Sequence, residues 1–122
     1  MRRSLIFILT LLGLTACGMT ATATVDPVAT GRQAYTIYCA ACHSVSDVGN
    51  ESFGPNLSAL YARAQSEPDP GAWLREAIIY PNTELAPGYQ AGIMPMSYAT
   101  DLSAEKLDGL VAYILKVGAP QP

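Results

Sequence analysis

From Leu107 towards the C-terminus the apolar residues fall three and four positions apart, placing Leu107, Leu110, Val111, Ile114 and Leu115 on one helical face. Ser103 stands where an N-cap belongs and Gly118 is a suitable stop, so the spacing predicts a helix between them. Two shorter stripes lie upstream. Leu57, Leu60, Tyr61 and Ala64 predict a short helix, and Trp73, Leu74, Ala77 and Ile78 a longer one beginning near Pro70, a residue suited to a first helical turn. Arg32 to Tyr38 has the amphipathic character of another helix. Pro68-Asp69-Pro70-Gly71 and Tyr80-Pro81-Asn82-Thr83 mark breaks, and no stretch alternates as a half-buried strand does. The pattern predicts an all-α domain of about four helices.

The N-terminus follows a different rule. Met1-Arg2-Arg3 is a basic head, and the apolar run from Leu5 to Leu14 is too short to span a bilayer, which together have the form of a secretory signal. Leu14-Thr15-Ala16-Cys17 resembles the bacterial lipobox, in which the cysteine is lipidated and becomes the new first residue. The expectation is a signal over residues 1–16, an anchor at Cys17 and a tether to Pro27 that contains Thr20-Ala21-Thr22-Ala23-Thr24-Val25, with the domain at 28–122. A coil of about ten residues has a root-mean-square span of roughly 17 Å and a reach of at most about 35 Å, which keeps the domain near a membrane surface facing the periplasm.

Removal of Arg2 and Arg3 leaves five basic against ten acidic side chains. A domain near −5 without a basic cluster is a poor match for nucleic acid or anionic lipid. The remaining 95 or so residues sit near the size at which a cofactor often helps to complete a core, and this directs attention to the other two cysteines.

Those cysteines occur in Cys39-Ala40-Ala41-Cys42-His43, the C-x-x-C-H haem-attachment pattern. Two thiols about one helical turn apart can each add to a vinyl group of one porphyrin, and the adjacent imidazole supplies a proximal iron ligand. Other uses fit less well. A thioredoxin-like dithiol calls for a strand-to-helix turn in a βαβ setting, whereas an amphipathic helix precedes Cys39. A zinc site needs a further cysteine or histidine, and His43 is the one histidine in the chain. A disulfide across the motif would leave His43 without a role.

From about residue 28 to the end the chain resembles class I c-type cytochromes. The carriers of the resemblance are Gly31 and Tyr35 ahead of Cys39, and Leu110-Val111-Ala112-Tyr113-Ile114-Leu115 near the end. The resemblance implies a first helix crossing a last helix closely at Gly31, with Tyr35 and Tyr113 at the crossing, around one covalent haem c. It also implies that the carbonyl of Pro55, in Gly54-Pro55-Asn56-Leu57, accepts a hydrogen bond from the imidazole of His43.

With His43 as the proximal ligand, no second histidine is available for the distal side. Met1 and Met19 lie in the signal and tether, which leaves Met94 and Met96 in Gly92-Ile93-Met94-Pro95-Met96-Ser97. The family commonly uses a methionine directly before proline, which implies Met94, with Met96 as runner-up. Trp73, Tyr80 and Tyr89 are candidates for lining the haem pocket or bonding a propionate.

A His/Met iron has no open position, and no acid–base pair accompanies it, so the expected function is one-electron transfer rather than catalysis. The expected partners are membrane redox complexes or other electron carriers in a respiratory or photosynthetic chain. The protein would serve either as a tethered shuttle or as a fixed subunit resembling the monohaem lipoprotein subunits of alternative complex III. A haem sensor or small peroxidase with a dissociable distal ligand is the alternative.

Overall fold

A computed structural model describes residues 24–45, 53–120 and 122. The expected signal, Cys17 and most of the tether lie outside the described residues. Five helices follow one another: α1 (Pro27–Tyr38), α2 (Leu57–Ala64), α3 (Pro70–Ile79), α4 (Tyr98–Asp101) and α5 (Ala104–Val117). No strand forms among the described residues, and none of their helices is long and apolar enough to cross a membrane.

Local chemistry explains most of the boundaries. Asp26, Asn56, Asp69 and Ser103 each place a side-chain oxygen against a backbone N–H of the first turn of the helix that follows. Pro27 and Pro70 open α1 and α3, where an N–H has no helical partner in any case. Helix α1 therefore starts at Pro27, capped by Asp26, one residue before the expected domain boundary. The fourth helix is a single turn inside the segment from Met94 to Leu102, where periodicity predicts none, and its Tyr98 is buried.

The apolar stripes meet as their spacing requires. Leu57 of α2, Leu74 of α3 and Leu110 of α5 are at most 1 % exposed, and Ala34, Tyr35, Ile78, Leu107, Val111, Tyr113 and Ile114 complete the same core. Leu115 of the predicted α5 face packs at its edge, half-buried.

The tightest contact joins the first helix to the last. A Cβ on Gly31 would overlap the carbonyl of Gly109 and lie 2.7 Å from the Cβ of Tyr113. A Cβ on Gly109 would lie 2.7 Å from the Gly31 nitrogen and 2.9 Å from the Pro27 oxygen. Both helices thus meet backbone to backbone, and only hydrogen fits at either position. Tyr35 and Tyr113 stack beside the crossing with ring centroids 5.4 Å apart. Because the obstacle is main chain rather than a movable side chain, Gly31→Ala should lose about 3 kcal/mol of stability, the upper end of overpacking costs. Chemical denaturation of the loaded protein measures this, and a variant within about 0.5 kcal/mol of wild type would show that the crossing has room to spare.

Candidate functional site

The turn after α1 carries the cysteine motif. Cys39 and Ala40 both donate their N–H groups to the Tyr35 carbonyl at 2.9 Å, and His43 donates to the Cys39 carbonyl, also at 2.9 Å. One further helix-like turn results, with Cys39 and Cys42 on its wall as free thiols. The Tyr35 hydroxyl donates to the His43 carbonyl at 2.5 Å and ties this turn back to the helix crossing.

A second segment braces the turn. Gly54 donates its N–H to the Cys42 carbonyl at 2.8 Å, and Leu57 donates to the Ser44 carbonyl at 2.9 Å. Between these two bonds the Nδ1–H of His43 donates to the Pro55 carbonyl at 2.8 Å. Placing the ring proton on Nδ1 leaves Nε2 as the lone-pair nitrogen able to bind a metal. Gly54 makes room for the ring, since a Cβ there would sit 2.6 Å from His43 Cε1 and 2.9 Å from Nδ1.

The turn opens on a cavity of about 630 Å³. Its walls are the faces that periodicity marks as apolar: Leu57 and Leu60 of α2, Leu74 and Ile78 of α3, Leu110 and Ile114 of α5. Cys39, Cys42 and His43 all face it. A loop from Pro81 to Pro95 forms another wall and contributes Met94, whereas Met96 is 60 % exposed and does not line the cavity. Trp73 and Tyr89 border the cavity, but Tyr80 turns away from it and is exposed. The proline that follows Tyr80 is buried on the wall instead, so Tyr80 does not line the cavity.

A charged network on the cavity wall carries no signal in periodicity. Arg63 of α2 binds Glu84 of the loop at 2.7 Å and Glu67 at 2.5 Å, and its guanidinium lies 5.1 Å from the Trp73 ring centre. Trp73 Nε1–H donates to the other oxygen of Glu84 at 3.2 Å. These bonds from Trp73 and Arg63 hold the Glu84 carboxyl below its ordinary range. Glu84 therefore clasps the loop to α2 and α3 at neutral pH, and the clasp is lost as pH falls through that depressed value. The i,i+4 pair Arg63/Glu67 is legible in sequence, but its link to Glu84 is not.

Burial, with Cys42 beside it, pushes the Cys39 thiol up to about 11. Dithiol redox centres work through a thiolate stabilised near neutrality, so this environment opposes that use of the pair. Over residues 28–118, about three quarters of its length, the chain matches the family described as Cytochrome c. It belongs to the cytochrome c family. No curated protein matches this cytochrome c.

Family membership establishes a haem-based electron carrier whose haem c is attached covalently through the C-x-x-C-H cysteines, Cys39 and Cys42. The site suits that group in three respects. Its two thiols share one turn, its imidazole has a fixed tautomer with room for the ring, and its cavity is walled by apolar side chains from three helices.

Proposed function

We propose that this cytochrome c is a membrane-anchored one-electron carrier in which His43 and Met94 would hold the haem iron. One observation carries the reading: Met94 lies on the wall of the same cavity as Cys39, Cys42 and His43, and Met96 lies outside it. The group supplies, when bound, an iron that gains and loses a single electron. The chain's own residues fix the conditions of that exchange. Cys39 and Cys42 hold the macrocycle, Pro55 keeps the His43 ring in one orientation and raises its basicity, and the apolar walls exclude water.

Pro95 bears on the distal side. A residue before proline is driven away from helical geometry, so the chain does not run on as a helix through Met94, where it bends at the cavity. A thioether and an imidazole together would give the iron a potential above that set by two imidazoles and would leave it no site for a further ligand. That combination suits electron transfer and opposes ligand activation.

The anchor completes the proposal. Cys17, in its lipobox-like setting, carries the lipid and confines the domain to the extracytoplasmic face of a membrane. Its electron donor and acceptor are then membrane-bound redox proteins, reached either within one assembly or by a tethered shuttle.

Two measurements test these assignments. Met94→Ala in the loaded ferric protein should remove the weak sulfur-to-iron charge-transfer band and lower the potential, whereas Met96→Ala should leave both nearly unchanged. The reverse pattern would move the ligand to Met96, and a band that persists in the double variant would contradict methionine ligation. For the anchor, Cys17→Ser should abolish metabolic labelling by fatty acid. Labelling that survives this change rules out Cys17 as the lipidated residue.

A further inference from the structure

The segment that carries the two methionines is held at both ends by one side chain. Asn82 lies at the start of the cavity-covering loop, half-buried on the cavity wall. Its Oδ1 accepts the Gly92 N–H at 2.9 Å, and its Nδ2 lies 3.1 Å from the sulfur of Met96. The orientation of the amide follows from chemistry. Gly92 N–H can only donate, so it must meet the amide oxygen, and the NH₂ group is left facing the thioether, a weak acceptor. Gly92 itself has φ +81°, a left-handed conformation that glycine adopts without strain, and there the chain reverses towards Met94.

Met94 and Met96 are two residues apart, and a flexible thioether on either could approach a metal at the cavity. Asn82 separates them. Its oxygen pins the chain before Met94, and its NH₂ group holds the sulfur of Met96, whose side chain is exposed and does not line the cavity. Resting on the His/Met reading above, we infer that Asn82 is a positioning residue that selects the distal ligand: it sequesters Met96 and leaves Met94 as the sulfur presented to the iron. Met96 is thereby a reserve ligand, and loss of the Asn82 contact releases it.

The test uses the covalently loaded ferric protein, with the sulfur-to-iron charge-transfer band and the reduction potential as readouts. Met94→Ala alone should lack the band, because Asn82 still holds Met96. Adding Asn82→Ala to that variant should restore a band and raise the potential back towards wild type, as Met96 reaches the iron. Asn82→Asp keeps an oxygen for Gly92 but removes the donor to sulfur, so it should restore the band as well. Adding Met96→Ala to either combination should abolish the restored band.

Three outcomes would overturn the selection. They are a band from Met96 in Met94→Ala with Asn82 intact, no recovery in either Asn82 combination, or recovery with Ala but not with Asp. The last would assign the restraint to the Gly92 bond rather than to the sulfur contact. A band that survives loss of both methionines would instead sink the His/Met reading itself, so the two failures are distinguishable.

Discussion

The approach of two helix backbones at Gly31 and Gly109 fixes where the chemistry of this domain sits. No side chain separates α1 from α5 there, and the Tyr35 and Tyr113 rings pack beside the contact. Because α1 is pinned at that point, the turn that follows it is delivered against the apolar face of α5, where Leu110 and Ile114 form one side of the cavity. The Tyr35 hydroxyl extends the same constraint one step further by holding the His43 carbonyl. A shift of the crossing would move both thiols and the imidazole together, which places a glycine pair among the determinants of the metal site.

Two kinds of interaction then complete the pocket. On the proximal side they are short-range and backbone-based: the segment from Gly54 to Leu57 exchanges hydrogen bonds with the motif turn, and Pro55 sets the histidine tautomer. On the distal side they are made by polar side chains of the loop. Glu84 binds Arg63 and Trp73 on two different helices, and Asn82 spans Gly92 and Met96. The proximal half therefore follows from local chain geometry, while the distal half depends on polar contacts between a loop and elements distant in sequence. Such loops open at lower free energy than packed helices.

This division explains how much was legible beforehand. The stripes of α2, α3 and α5 are periodic, and the residues that define them became the cavity walls because a helix buries the face its spacing marks. The cysteine motif and its histidine are contiguous, so their chemistry can be read without knowing the fold. Gly109 gave no signal, since a glycine inside a helix reads as a mild defect until its partner helix is known. Asn82 reads only as part of a turn, and neither it nor Glu84 has a periodic neighbour to betray a partner. The helix from Tyr98 to Asp101 is too brief, at one turn, to show a period, and Tyr80 leaves the cavity wall to its neighbour Pro81. Met94 and Met96 flank one proline, and it is the fold that puts only Met94 on the cavity wall.

The fold is organised to hold one haem bonded to Cys39 and Cys42. The most direct test is the intact mass of the mature chain, expressed in an export-competent host, denatured in acid and stripped of everything held without a covalent bond. Wild type should carry the mass of one haem, and Cys39→Ala/Cys42→Ala should carry none. A wild-type chain at its bare polypeptide mass, with the porphyrin released into the acid extract, would contradict the account.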